Sequence, residues 1–128
     1  MIERVPPHNE EAERSVLGAV MLNREILSEV LEEVKEEDFY NENHREIFSS
    51  IWNLYRENSA VDMLTVCEDL KKKKALEMVG GRGYIATLTA EVPSTANAVE
   101  YAKIVAEKAV LRQMIATAED ITEKGYEA

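Results

Sequence analysis

The residues of this 128-residue chain that could do chemistry are two histidines, one cysteine and a few clustered acids. A di-iron carboxylate site would need a Glu-x-x-His motif on each of two helices. Here Asn41 stands three residues before His44, and Val5 stands three residues before His8. Because this spacing supplies no ligand set, we assign no metal-binding residue. We expect His44 to be a hydrogen-bonded histidine near the start of a helix.

Acid–base catalysis and phosphate binding are equally poorly supported. Glu36, Glu37 and Asp38 are adjacent, and adjacent side chains on a helix or turn diverge, so we interpret them as solvated acids. The glycines at positions 80, 81 and 83 do not follow a strand, and the chain has no Gly-x-x-x-x-Gly-Lys-Ser/Thr motif. We therefore assign no catalytic and no cofactor-binding residue, and we predict that this chain is not an enzyme.

The charge distribution argues against direct nucleic-acid binding. The formal net charge is −10, and residues 1–70 carry 6 Lys or Arg against 17 Asp or Glu. Such a surface repels phosphate backbones. The run Lys71–Lys74 has two interpretations: it closes the C-terminus of a helix, or it grips a phosphate or an acidic partner.

Composition also bears on location and redox chemistry. No stretch approaches the ~20 apolar residues of a transmembrane helix, and the first residues lack the basic and apolar pattern of a signal peptide. We expect a cytoplasmic protein that does not interact with membranes. Cys67 falls in the apolar pattern of a helix, where it should pack as a small hydrophobic residue.

Apolar residues recur at helical spacing, and no segment alternates as a strand, so we predict an all-α fold. We expect about five short helices in a small orthogonal bundle, followed by one long protruding helix. Gly18 indicates close packing between helices. The helix that contains Trp52 should be the central core helix, preceded by a capping box at Asn43 and Glu46. The other predicted caps are Asn9, Asp62 and either Ser94 or Thr95.

The last third of the chain is apolar around too much of a helix circumference for one buried face. Residues 97–124 contain no Gly or Pro, so they can form one helix of roughly 40 Å. A body of about 93 residues is only some 30 Å across, so this helix should project beyond it. The alternative is a kink near Glu107 that folds the segment back onto the body. One apolar stripe contains Val99, Ala102, Ala106, Ala109 and Val110, and the other contains Tyr101, Ile104, Leu111, Ile115, Ala118 and Ile121.

Four stretches of the sequence, in order along the chain, form one pattern. In the first, residues 4–13 read Arg-Val-Pro-Pro-His-Asn-Glu-Glu-Ala-Glu, and residues 15–19 read Ser-Val-Leu-Gly-Ala. The other three stretches are Asp38-Phe39-Tyr40 with His44, Ile47 and Phe48; Gly80-Gly81 with Tyr84 and Leu88; and Val92-Pro93-Ser94-Thr95-Ala96-Asn97 leading into Tyr101-Ala102. Together they resemble the N-terminal domain of the bacterial replicative DNA helicase, the DnaB family.

The resemblance implies a helical body followed by a helical hairpin, whose pairing between subunits builds a collar on a ring-shaped hexamer. Pro6-Pro7 predicts an extended arm at 1–8 on a body at 1–93, and the resemblance implies that 94–128 is the first helix of the hairpin, ending before the returning arm. ATP and Mg²⁺ would belong to a motor domain that these residues do not include. The collar would recruit primase, and a helicase loader is a further candidate partner.

Surplus apolar helix surface suits protein docking, so we select six residues as a candidate interface with another copy or with a partner. They are Tyr84, Tyr101, Ile104, Leu111, Ile115 and Ile121. Each could instead belong to the core of its own fold. A different class of function also stays open: a free-standing regulatory or DNA-binding helical protein that uses Lys71–Lys74.

Overall fold

The computed structural model describes residues 4–128. Residues 1–3 of the predicted arm lie outside this range. The described chain is all-helical, with no strand, which confirms the predicted fold class. Five short helices form a small orthogonal bundle, and a sixth, long helix follows them. The helices are α1 (Glu10–Leu22), α2 (Leu27–Glu33), α3 (Glu42–Arg56), α4 (Met63–Lys72), α5 (Gly81–Ala90) and α6 (Ala98–Glu127), with 3-10 turns at Arg24–Ile26, Glu36–Asp38 and Thr95–Asn97.

Helix α1 lies at the centre of the body. It packs against α3, α5 and α6, and Val16, Leu17 and Val20 are fully buried. The prediction that the Trp52 helix would be the central helix was wrong, because α1 packs against α3, α5 and α6, whereas α3 packs against α1, α4 and the turn Glu36–Asp38. Trp52 itself lies at the surface with 39% of its area exposed. The strong apolar face of α3 belongs to Ile47, Phe48 and Ile51, which are buried. Trp52 lies outside this face.

Side chains at the helix starts determine several helix boundaries. Asn9 caps α1 by accepting the backbone N–H of Ala12, and Asp62 caps α4 by accepting that of Thr65, as predicted. The predicted box at Asn43 and Glu46 was wrong, because Asn41 caps α3 instead. Ser94 caps the 3-10 turn that precedes α6 rather than α6 itself.

Two glycine positions depend on the absence of a side chain. A Cβ at Gly18 would collide with the carbonyl oxygen of Leu88 and with the side chain of Val92. The close approach of α1 to α5 therefore requires glycine, which confirms the packing role predicted for Gly18. Gly80, with φ of 116°, takes the left-handed conformation that precedes α5.

Helix α6 is continuous from Ala98 to Glu127, so the predicted single helix is confirmed and the kink near Glu107 is absent. Its first turns pack on the body through Ala98, Ala102 and Val105, which are buried. Every residue from Gln113 onwards is exposed. The second half of the helix therefore projects beyond the bundle, as the sequence predicts.

Candidate protein-interaction surface

The projecting half of α6 carries exposed large apolar side chains. Val110 is 55% exposed, Met114 61% and Ile121 66%, while Leu111 and Ile115 are 38% and 46% exposed. These five residues are called the outward stripe below. A shallow groove of about 420 Å³ lies along the stripe between Val110 and Ile121. Contiguous exposed apolar surface of this kind marks an interaction site.

The outward stripe and the body contact lie on opposite sides of α6. At about 100° per residue, the centre of the stripe is roughly 170° around the helix from Ala98, Ala102 and Val105. The side that faces the body continues beyond it as acidic surface. Its residues there are Glu119, Asp120, Glu123 and Glu127, all exposed. The stripe therefore faces away from the body that α1 to α5 form, and no part of residues 4–128 covers it.

The six predicted interface residues divide into two groups. Leu111, Ile115 and Ile121 belong to the outward stripe and are exposed. Tyr84, Tyr101 and Ile104 are partly buried and pack against the core of their own body. The structure thus brings three of the six together on one projecting surface, places Tyr101 and Ile104 in the first turns of α6, and places Tyr84 apart from them in α5.

Sequence reasoning missed two members of the stripe and one body contact. Met114 was not selected, although it follows Val110 by four residues and precedes Ile121 by seven, which is helical spacing. Val110 was grouped with Val99, Ala102, Ala106 and Ala109 rather than with Leu111, Ile115 and Ile121, but it is 55% exposed and belongs with the latter group. Val105, which is 1% exposed, supplies the body contact that was missed.

Tyr84 takes part in a buried polar network that links three helices. Its hydroxyl lies 2.5 Å from His44 Nε2, and His44 Nδ1 lies 2.8 Å from Glu13 Oε1. The Glu13 carboxylate also accepts the backbone N–H of Tyr40 at 2.8 Å. Burial raises the pKa of Tyr84, and the nearby Arg14 charge opposes this shift more weakly. Because His44 and Glu13 are inaccessible to solvent, the network ties α1, α3 and α5 together and offers no site for a substrate.

His44 is hydrogen-bonded at the start of α3, as predicted, but its partner Glu13 was not identified from the sequence. Acids in the first turn of a helix are usual, so Glu13 resembled its neighbours Glu10 and Glu11. In the part of the chain that the structure describes, no group of three His, Cys, Asp or Glu side chains is placed to hold a metal ion.

The lysine run ends α4, which is one of its two predicted interpretations. Helix α4 stops at Lys72, and Lys74 follows with φ of 61°. The ammonium of Lys73 lies 3.5 Å from Asp69 and donates to the hydroxyl of Ser50 at 3.0 Å. Beside the run, Cys67 is buried, as predicted, and burial raises the pKa of its thiol.

The comparison with protein families decides what kind of domain carries this surface. The model of the DnaB-like helicase N-terminal domain matches residues 5–107. The chain belongs to this family. For the residues that the structure describes, no helix is long and apolar enough to cross a membrane.

Curated replicative DNA helicases of the DnaB family are similar along almost the whole chain. The protein of Leifsonia xyli subsp. xyli is 42% identical over 126 residues, which is 98% of this chain and 28% of the relative. That of Mycobacterium leprae is 38% identical over 96% of this chain and 20% of the relative. That of Geobacillus stearothermophilus is 42% identical over 97% and 27% respectively. The chain thus spans less than a third of these relatives, and its 128 residues include no motor domain.

Solved structures of DnaB-type domains have the same fold. The crystal structure of the N-terminal domain of DnaB helicase from Mycobacterium tuberculosis superimposes with a TM-score of 0.94 at 37% identity. The match covers 96% of this chain and 88% of that domain. A DnaB-like replicative helicase described with its interactions with primase gives a TM-score of 0.81 at 29% identity, over 94% of this chain and 28% of that one. The long final helix is therefore part of the DnaB-type fold.

Proposed function

We propose that this domain is a non-catalytic collar domain of a replicative DNA helicase, which assembles the hexamer through pairing of α6 between subunits. The outward stripe carries the proposal. It is apolar, it is exposed, and it faces away from the body that α1 to α5 form. In this proposal the covering helix comes from a second subunit or from the returning arm of a helical hairpin.

The energetics of pairing make the stripe sensitive to single charges. Burying one Val, Leu, Ile or Met side chain fully contributes about 1.5–3 kcal/mol. Association of two molecules costs about 4–15 kcal/mol in lost freedom, so several stripe residues must be buried together. An unpaired lysine within such a contact costs several kcal/mol more. One charged substitution should therefore be enough to break pairing.

Two adjacent positions provide a matched test of this pairing. Ile115 belongs to the outward stripe, whereas Ala116 is exposed on the opposite side of α6. In sedimentation equilibrium experiments, Ile115→Lys should weaken self-association at least tenfold. Ala116→Lys adds the same charge to the same helix and should change the dissociation constant of self-association less than threefold. Equal effects of both variants, with helicity retained by circular dichroism, would contradict pairing through the stripe.

We further propose that the same collar docks primase. The support is the similarity to a helicase whose structure is described with primase interactions. The projecting half of α6 adds to it, because it is apolar on one side and acidic on the other. Leu111, Ile115 and Ile121 are the exposed candidates for this contact. Tyr84, Tyr101 and Ile104, which are partly buried in the body, stay as the other candidates.

Calorimetric titration with the helicase-binding C-terminal domain of a matching primase tests the docking proposal. Binding should be saturable, and Ile121→Lys should weaken it at least tenfold. The variant Ala116→Lys, which adds the same charge on the opposite side of α6, should bind like the wild type. The absence of binding to the wild type, while self-association persists, would contradict primase docking alone.

The remaining parts of the proposal concern the whole helicase. The division into a body at 1–93, with its arm at 1–8, and a helix at 94–128 is retained. ATP, Mg²⁺ and DNA would be bound by the motor part of the full-length protein, in the cytoplasm where the chromosome is replicated. A helicase loader is a further candidate partner of the collar.

A further inference from the structure

Arg112 connects three segments at the point where α6 leaves the body. Its Nη1 group donates to the backbone carbonyl of Pro7 at 2.8 Å, and its Nη2 group donates to that of Asp38 at 2.6 Å. Its guanidinium carbon lies 5.4 Å from the ring centroid of Tyr40. One side chain thus holds the N-terminal arm, the 3-10 turn before α3 and the following loop against α6.

The groups that receive Arg112 are themselves fixed to the body. The ring of His8 stacks on Tyr40 with centroids 4.1 Å apart, and His8 Nδ1 lies 2.7 Å from the carbonyl oxygen of Pro6. The backbone N–H of Tyr40 donates to Glu13, which is 1% exposed. The contact of Arg112 therefore reaches the core network rather than a free loop.

The contact depends on geometry more than on charge. None of the ion pairs found within residues 4–128 includes Arg112. The guanidinium presents two N–H groups in a rigid fork, and the two carbonyls occupy separate arms of that fork. A lysine keeps the charge but places all its donors on one nitrogen, so it cannot reproduce both bonds with the same directions.

Arg112 is also the last half-buried residue of α6. From Gln113 to Glu127 every residue is exposed and none is buried against the body, so the direction of the helix is determined where it last contacts the body. Those fifteen residues span about 22 Å, and a swing of about 15° at their base would displace the tip by about 6 Å. Displacement of that size would misalign a helix pair, whose axes lie about 8–10 Å apart.

We propose that Arg112, together with the arm residues 4–8, is a positioning clamp that fixes the direction in which α6 projects. The clamp sets the geometry in which the outward stripe meets a partner helix. This consequence for pairing rests on the proposed function, whereas the direction of α6 is a property of a single chain and is measured separately.

Spin-label distances test the clamp directly. Labels are attached at Glu68→Cys in α4 and Glu123→Cys in α6, in a Cys67→Ala background and with excess unlabelled protein to remove intermolecular pairs. With Arg112 intact, the distance distribution should be narrow. Arg112→Lys and Arg112→Met should each widen this distribution at least twofold, or shift its centre by about 4 Å, which is the displacement of position 123 for the same 15° swing. Lys103→Met removes a charge from the solvent side of α6 and should leave the distance distribution unchanged.

The outcomes separate the clamp from the proposed function. If both Arg112 variants stay folded by circular dichroism and keep the wild-type distance distribution, the clamp is wrong. Arg112→Lys retains the charge and most of the stem, so it provides a folded variant even where Arg112→Met does not. If the variants release α6 but the wild type never self-associates, the clamp stands and pairing through α6 fails. If the clamp and the pairing through α6 are both correct, Arg112→Lys should weaken self-association at least fivefold, although it leaves the stripe residues unchanged.

Discussion

At the scale of single residues, the network of Glu13, His44 and Tyr84 shows how this small body fixes its helices. Each of the three comes from a different helix, and the buried carboxylate also receives a backbone N–H from the loop before α3. Buried polar groups that are satisfied in this way specify one arrangement, because any shift of a helix leaves a donor or acceptor without a partner.

Removing the hydroxyl of Tyr84 tests this network. Tyr84→Phe leaves His44 Nε2 without its partner, so we expect a loss of about 1–3 kcal/mol in the free energy of unfolding at neutral pH. Urea denaturation measures this loss. Tyr126→Phe, at a tyrosine that is 90% exposed, serves as the control and should change little. Equal stability of Tyr84→Phe and the wild type would show that the hydrogen bond contributes nothing.

The same variant has a predicted pH dependence. Burial raises the folded-state pKa of Tyr84 above its ordinary value of 10.0. The stability that results is therefore present below pH 10 and is lost as the pH rises through the folded pKa. The free energy by which unfolding of the wild type exceeds that of Tyr84→Phe should therefore shrink as the pH rises from 10 through the folded-state pKa of Tyr84. A difference that stays constant or grows would contradict the assigned burial effect.

Two features at the residue scale could not be predicted from the sequence: the partners of His44 and the residue that caps α3. The sequence showed that His44 should be hydrogen-bonded, but the partners lie 31 and 40 positions away and depend on how the helices cross. The cap of α3 was misplaced for a related reason. Asn41 and Asn43 both precede the apolar face, and only the path of the loop decides which side chain meets the free N–H groups.

At the scale of elements, α6 changes character where it leaves the body. Its body-facing side is apolar up to Val105 and acidic from Glu119 onwards, while the opposite side becomes apolar. Helical spacing predicted both the length of α6 and its surplus apolar surface. It did not predict that Val110 faces outward, since two stripes on one helix can be assigned to the body only when the crossing point is known.

The contact between α1 and α5 gives an element-scale prediction. Gly18→Ala places a methyl group against the Leu88 carbonyl, which is backbone and cannot turn aside. The two helices must separate, and we expect a loss of about 3 kcal/mol in the free energy of unfolding. Denaturant midpoints measure it.

Gly83→Ala is the matched control in α5 itself. A Cβ at Gly83 has nothing within 4 Å, so this variant should be neutral or more stable by up to about 1 kcal/mol. If Gly18→Ala were as stable as Gly83→Ala, the close approach of α1 and α5 would not limit the fold.

At the scale of the whole molecule, the described chain combines a packed helical body with a projecting helix that has an exposed apolar face. The body buries its apolar side chains around α1, and its polar network is satisfied internally. The outward stripe collects five exposed apolar side chains on one helix, whereas those exposed outside α6, Val5, Leu22, Trp52, Leu64 and Met78, lie on different segments of the body. A net charge of −10 makes a nucleic-acid occupant unfavourable. This arrangement favours assembly with other helices. The sequence resemblance predicted the family and the fold, but not which side of α6 is free.

The solution mass of the wild-type domain, measured by light scattering across a concentration series, tests the central claim most directly. Pairing through α6 predicts a mass that rises from one chain of 14.5 kDa towards two chains with increasing concentration. Ile115→Lys should then remain at the mass of one chain over the same range. A wild-type mass that stays at one chain up to millimolar concentration would contradict pairing of this helix between copies of the domain.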